Sequence, residues 1–276
     1  MFKLINDEHE KIIADFVNSL KEESDIKATI DKIDIIIKKI HNDIPDNKRI
    51  SYGLYSVCKD FGNILFKFIN NRIDVLKLST NLFENSNNSN VKIIAMNLLA
   101  HYGVHDINSL DIVYDYFIKA ALEKDWVIHE CSCGFMSLII QKYPDETKEF
   151  MLKLIKSDSA ILRRFAGESL RPIERNKWFH KNPDYQLSII KNLFKESDPY
   201  PRTSAGNNLS DWSRLYPDMV YQIVQELVES GDKNSYWIAY RACRNLVKKE
   251  PLKVLDLLKI NEYKYKDRYF KRDDLQ

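Results

Sequence analysis

Glycine and proline are scarce in this chain, with seven and eight residues in a length of 276. A β-sandwich or barrel calls for a turn signal every ~8–12 residues. The scarcity therefore argues against an all-β fold and for long uninterrupted helices. Cysteine is scarcer still. Cys58, Cys131, Cys133 and Cys243 are the full complement, and their spacing is not that of a disulfide framework, which suits a reducing compartment. No apolar run approaches the ~18 residues of a membrane span. The opening residues Met1, Phe2, Lys3 and Leu4 carry no signal-peptide core, so the cytoplasm is the expected location, with no membrane partner. A dominant charge of one sign is also missing: 42 Lys and Arg face 40 Asp and Glu, for a net charge of +2. This is weaker than the basic footprint usual for a nucleic-acid binder, so any DNA surface must come from sorting cations onto one face. Disorder is excluded by an apolar fraction of 44%, ample for a continuous core.

What the chain does have is helical periodicity, and it repeats itself. Residues 26–44 carry isoleucines at helical spacing, Pro45-Asp46-Asn47 interrupts them, and a second apolar run covers 52–69 with Leu54, Val57, Phe61, Leu65 and Phe68. The polar segment 85–90 ends in good helix N-cap residues. From there, Val91 to Ala95, Leu162 to Ala166, Pro201 to Ala205 and Ile238 to Ala242 read as copies. Each has an apolar or proline anchor, nearby cations and a small residue four positions on, and each leads to Leu99, Leu170, Leu209 or Leu246 in register. The last three copies are offset by 39 and 37 residues and the first by 71, close to two units, with a further copy near Trp126 filling the gap. Partner helices are expected at 110–123, 145–155, 184–194, 216–229 and 251–258, and Tyr143-Pro144-Asp145 matches Tyr216-Pro217-Asp218 as an inter-helix turn with Pro in the first turn. Two helices per unit at this period predict an all-α, α-α superhelix of HEAT-like or ARM-like repeats. It is expected to form a single domain over 1–276, with N-terminal helices in 1–85, repeats lining a groove in 90–260 and a tail in 261–276.

The repeat helices carry an unusual polar set. Trp126 and Glu130 are four apart and share a helix face. Arg163, Arg164 and Glu168 are followed by Arg171-Pro172 and Trp178. Arg202, Asn207, Asn208 and Asp211 occupy the next copy, and Trp237, Arg241 and Arg244 the last.

These segments resemble the AlkC/AlkD superfamily of HEAT-like alkylbase DNA glycosylases. Arg163-Arg164-Phe165-Ala166-Gly167-Glu168-Ser169-Leu170-Arg171-Pro172 looks like one family segment. Tyr200-Pro201-Arg202-Thr203-Ser204-Ala205-Gly206-Asn207-Asn208-Leu209-Ser210-Asp211 looks like a second, and Trp237 to Lys249 like a third. The matches are in order, cover about 90–260, and are most similar to the AlkC branch without its Ig-like domain. The resemblance implies a monomeric, monofunctional enzyme that needs no cofactor or metal. Its partner would be double-stranded DNA, and its reaction the hydrolysis of the N-glycosidic bond of N3- or N7-alkylpurines in base excision repair, with N3-methylcytosine a further candidate. A cationic base already leaves well, so help goes to the deoxyribose, which turns oxocarbenium-like as the bond breaks and is stabilised by a nearby carboxylate. By resemblance, Glu130, Glu168 and Asp211 match acidic active-site positions, Trp126 and Trp178 pack against the sugar, and Arg164 grips the backbone. Arg163, Arg202, Asn207, Asn208, Trp237, Arg241 and Arg244 complete the expected DNA contacts, with helix N-termini joining the arginines as anion sites. The chain departs from the family at Pro201, at Gly206 where Ala is usual, at His129 where Arg is common, and in the stretched segment from Pro172 to Trp178.

Plainer roles stand beside these. A carboxylate on a repeat helix is often an ion-pair partner of the next arginine, and the arginines can be a solvated face. Trp212, some 100° around the helix from Asp211, reads as packing, and Cys131 and Cys133 read as core. His101 and His105 lack a third ligand at zinc spacing. The tail, with Tyr263, Tyr265 and interleaved lysines, is either an extension of the DNA surface or a final capping helix. The functional alternative is a non-catalytic HEAT-like module that binds nucleic acid or a protein.

Overall fold

The computed structural model describes residues 3–20, 25–69, 71–174 and 176–275. Met1 and Phe2 of the opening segment and Arg175 of the stretched segment lie outside the described residues. The chain is an all-α, HEAT-like repeat fold and divides into two compact units, residues 1–143 and 144–276. The division falls in the Tyr143-Pro144 turn. The polar segment 85–90 instead joins two closely packed helices.

In the first unit, α1 (Asp7–Ser19), α2 (Ile26–Asn42) and the short α3 (Asp46–Arg49) precede α4 (Leu54–Phe68), α5 (Arg72–Asn85), α6 (Ser89–His105), α7 (Leu110–Ala121) and α8 (Trp126–Lys142). Helices α4, α6 and α8 lie side by side in one layer, backed by α5 and α7. α6 sits at the centre, and its apolar residues are buried on every side, including Val91, Ile94, Leu98 and Leu99; a helix that is apolar all round is stable only when enclosed in this way.

The second unit holds α9 (Pro144–Ile155), α10 (Ala160–Ser169), α11 (Lys177–Lys181), α12 (Pro183–Ile190), α13 (Pro199–Trp212), α14 (Pro217–Glu229), α15 (Lys233–Ala242) and α16 (Pro251–Leu258). Helices α10, α13 and α15 form one layer, and α9, α12, α14 and α16 the layer behind it. The small residues of the sequence copies, Ala95, Ala166, Ala205 and Ala242, are fully buried, as are Leu99, Leu170, Leu209 and Leu246 to within a percent. The repeat seen in the sequence is thus the repeat of helix-to-helix contact. Trp212 is fully buried, and all four cysteines are buried. Burial pushes the Cys58 and Cys243 thiols up to about 12, leaving them without thiolate character.

Two kinds of helix start recur along the chain, and α13 combines them with Asp198 and Pro199. Helices α6 and α8 of the first unit and α10, α13 and α15 of the second open with side-chain caps from Asn88, Asp125, Ser159, Asp198 and Asp232, each accepting a backbone N–H of the first turn. The back-layer helices α9, α12, α14 and α16 open with Pro144, Pro183, Pro217 and Pro251, whose missing N–H costs nothing there. Beyond α16 the tail is a two-stranded antiparallel hairpin, β1 (Glu262–Tyr265) and β2 (Arg268–Lys271), with Tyr263 opposite Phe270 and Tyr265 opposite Arg268. It is not the capping helix weighed from the sequence; aromatic and charged residues alternate with the period of a strand.

Candidate functional site

In the second unit, residues on α10, α13 and α15 converge on one ionic centre. Arg171, just past the end of α10, donates from Nε and Nη2 to Oδ2 of Asp211 at 2.9 and 2.6 Å, and from Nη1 to Oε2 of Glu168 at 3.2 Å. Ser204 Oγ donates to the other Glu168 oxygen at 2.6 Å. On the far side of Asp211, Arg244 Nη2 lies 3.6 Å from Oδ1. Arg244 also donates from Nε to Ser210 Oγ at 2.6 Å and from Nη1 to Asn207 Oδ1 at 3.0 Å, and Arg241 Nε donates to that same Asn207 oxygen at 3.0 Å. The Glu168 and Asp211 side chains are only 7% and 4% exposed. Burial works against the Arg171 charge, but the two carboxylates more than offset it and hold the guanidinium above its ordinary range. Three guanidinium groups thus face two carboxylates, and the centre is left with an excess positive charge.

Aromatic rings extend this cationic surface. Arg202 lies over the Trp237 ring at 4.6 Å, Arg241 stands 5.5 Å from both Trp237 and Tyr265, and Arg164 lies 4.5 Å over Tyr200. Such stacking fixes the planes of the guanidinium groups, and Arg202 also donates from Nη1 to Asn234 Oδ1 at 2.7 Å. Gly206 makes the Arg241 position possible: a Cβ there would stand 2.7 Å from Arg241 Cδ and 2.9 Å from its Cβ.

Other expected contacts take different places. Arg163 grips Glu196 through two bonds of 2.6 and 3.1 Å and the carbonyls of Ser157 and Asp158. It is a brace between repeats, with its donors committed, and not a phosphate contact. Asn208 is fully buried and donates to the Gly167 and Ser204 carbonyls, which removes it from any surface. Trp178 meets Phe179 and Tyr185 edge-on at 5.5 and 5.3 Å, and Tyr185 in turn reaches Thr147 on α9; its ring contacts belong to the back layer. The N-termini of α10, α13 and α15 each carry a capping side chain, and Asp198 and Asp232 bring negative charge there, which opposes an anion.

In the first unit, Trp126 opens α8 and is 57% exposed. Glu130, one turn later on the same face, is half-buried. His129 beside it is buried and turned to the Glu123 carbonyl. His101 and His105 bracket the Phe66 ring at 4.9 and 5.0 Å, and burial lowers the His101 pKa. His101 meets Asn63 Oδ1, which also accepts from Asn97.

The pivotal role of Arg171 did not emerge from the sequence pattern. Its signal was there: a cation three residues after Glu168 is within ion-pair reach at a helix end. Ser204 and Ser210, which hold Glu168 and Arg244, carried no such signal.

A family model described as DNA alkylation repair enzyme matches residues 57–249, well over half the chain. No curated protein gives a significant sequence match. Among solved structures, AlkD2 from Streptococcus mutans is similar at 20% identity and a TM-score of 0.63, over 80% of this chain and 98% of its own. A second Streptococcus mutans UA159 protein, smu.31, is similar at 22% identity and 0.57, over 68% of this chain and 90% of its own. The Pseudomonas fluorescens alkylpurine DNA glycosylase AlkC, bound to DNA containing an abasic site analog, is similar at 19% identity and 0.59, over 92% of this chain and 66% of its own. These likenesses concern the fold.

Proposed function

Because the chain belongs to the DNA alkylation repair enzyme family, we propose that it is a monofunctional DNA glycosylase that releases cationic alkylated bases, foremost N3- and N7-alkylpurines, from duplex DNA. It acts as a cytoplasmic monomer in base excision repair. In the reaction the C1′–N bond breaks with its electron pair passing to the base, which leaves neutral. The sugar is left oxocarbenium-like, and water adds at C1′ as it loses a proton. Glu130 is the carboxylate assigned to stabilise the sugar and orient that water. Trp126 supplies the exposed ring beside it. Glu168 and Asp211 act through Arg171, holding it where the phosphate backbone passes, with Arg164, Arg202, Asn207, Trp237, Arg241 and Arg244 completing the contact.

The observation that carries this reading is the excess positive charge at the Arg171–Arg241–Arg244 centre. Partly buried guanidinium groups in excess over their carboxylates call for an external anion, and a nucleic-acid phosphate fits their planar donors. The test is base release from duplex DNA methylated at purine N3 and N7. The full chain should release methylated base, and Glu130→Gln should slow release ~10²-fold or more while duplex binding stays within a few-fold. No release from either lesion would overturn the enzymatic reading.

A second reading, a non-catalytic module that binds nucleic acid, is favoured by one observation: Glu168 and Asp211 are both committed to Arg171. Salt-dependent duplex binding without any base release would select it.

A further inference from the structure

The C-terminal hairpin lies outside the residues that the family model matches, yet it is built onto the site. Its anchor is Tyr263, fully buried, with its ring stacked on that of Tyr240 at 4.4 Å and 17° and its hydroxyl donating to the Tyr240 carbonyl at 2.9 Å. Tyr240 reciprocates. Its hydroxyl donates to the Lys264 carbonyl and accepts the Lys264 N–H, at 2.9 and 2.8 Å, so a side chain of α15 occupies the place of a neighbouring strand. At the other end, Arg272 bonds the Asn261 carbonyl through its N–H and Asp256 of α16 through its guanidinium. The hairpin is thus docked on the last repeat at both ends and its position there is fixed.

The pleat then decides what its tip does. Side chains two apart on a strand share a face, so Tyr265 lies on the same face as Tyr263, and α15 advances by one residue from Tyr240 to Arg241. Tyr265 stands 5.5 Å from the Arg241 guanidinium, and a second ring, Trp237, is at the same distance. The third restraint is Asn207, which accepts from Arg241 Nε. The two terminal nitrogens, Nη1 and Nη2, meet no hydrogen-bond partner among the described residues. An arginine held at its root by Gly206, at Nε by Asn207 and on its plane by two rings, with its bidentate edge left open, has the geometry of a preorganised anion contact. Burial is the main influence on its charge and lowers its pKa, with Tyr265 opposing and Arg244 adding to the effect, so a phosphate bound there would relieve the strain of like charges.

We propose that Tyr265 is a positioning residue, and that the C-terminal hairpin serves the site by clamping Arg241 against Trp237 so that its terminal nitrogens take one backbone phosphate of the DNA. This rests on the reading of the chain as a DNA-binding repair enzyme and adds the hairpin to its site.

The experiment is equilibrium binding of the full chain to an unmodified duplex across a range of salt concentrations, for wild type, Arg241→Gln, Tyr265→Ala, Tyr265→Phe, the double variant Arg241→Gln/Tyr265→Ala, and Tyr269→Ala on the opposite hairpin face. Loss of one phosphate contact lowers the slope of log affinity against log salt by about 0.9. Arg241→Gln and Tyr265→Ala should each show that drop, the double variant should show it only once, and Tyr265→Phe and Tyr269→Ala should match wild type. A Tyr265→Ala slope equal to wild type, or two drops that add in the double variant, would overturn the role of Tyr265. An unchanged Arg241→Gln slope would overturn the phosphate contact itself. Wild type with no salt-dependent binding at all would sink the DNA-binding reading instead, which is a different result from either.

Discussion

Replacing Gly206 with alanine sets two opposing effects against each other, and the structure says which prevails. Glycine in the middle of a helix costs ~1 kcal/mol relative to alanine, so on propensity alone Gly206→Ala within α13 should stabilise. The added Cβ, however, would stand 2.7 Å from Arg241 Cδ, 2.9 Å from its Cβ and 3.0 Å from its Cγ. Ordinary contact begins at 3.4 Å, so the stem must retreat by several tenths of an ångström. The crowded atoms include the root of the side chain, so rotating the tip gives no relief. Either α13 and α15 part, or Arg241 leaves the rotamer that bonds Asn207. Overpacking of this kind costs ~1–3 kcal/mol, which cancels or outweighs the propensity gain. The net expectation is a loss of roughly 0–2 kcal/mol, a fall in Tm of a few degrees at ~2–4 °C per kcal/mol. In the Arg241→Ala background the contacts with Cδ and Cγ are gone and only the one at 2.9 Å with Cβ remains, so the same substitution should cost measurably less than in the wild type. Thermal melts of the four proteins decide it. If Gly206→Ala raises Tm equally in both backgrounds, the close approach of Arg241 to α13 is refuted, together with the reason offered for glycine at this position.

Two further outcomes follow from the ion network and the caps. Arg171→Leu strands Glu168 and Asp211 without their main partner, at a cost of ~3–5 kcal/mol; adding Glu168→Gln and Asp211→Asn should return most of it, read by urea unfolding, and a failure to recover would show that Arg171 stabilises by packing instead. Asp125 caps α8, and the Ser89 hydroxyl, followed by the Val127 N–H, holds its carboxyl below the ordinary range. Its stabilisation is therefore present above the unfolded value of ~3.9 and lost as pH falls through the lower folded value. Asp125→Ala should cost ~1 kcal/mol at pH 7, and the gap between the two melting temperatures should narrow in acid; a gap that persists undiminished at low pH would contradict this origin.

The parts of the fold legible in the sequence are those set by local chemistry. Asp, Asn and Ser ahead of the repeat helices, Pro at the start of α9, α12, α14 and α16, and alanine and leucine in register are local signals, and each sits where that chemistry places it. The site was legible as a set of residues and not as a set of pairings. Nothing near Arg163 announces Glu196, 33 residues away, yet that pairing occupies Arg163, whereas the outer nitrogens of Arg241 meet no hydrogen-bond partner among the described residues. Asn207 and Asn208 are neighbours, and a turn of some 100° per residue sends one to the arginines and the other into the core. The tail, left open between an extension of the DNA surface and a capping helix, is a hairpin: Tyr263, Lys264, Tyr265 and Lys266 alternate with a period of two, a strand signal.

Asn208 and the Gly167 carbonyl have a counterpart one repeat on. Asn245 Nδ2 donates to the Ser210 carbonyl at 2.8 Å, an oxygen near the end of α13 that also accepts from the Ser213 hydroxyl, and so again joins one repeat to the preceding helix. Sliding α13 by one residue against α10 would cost the fully buried Asn208 amide its Gly167 bond, at ~1–3 kcal/mol, and the Asn245 contact resists the same slip one repeat on. Neighbouring repeats of this unit are therefore indexed to each other like notched rods, and the intervals between their outward cations are set from inside. Truncating Asn208 or Asn245 would blur that ruler without touching anything the protein grips.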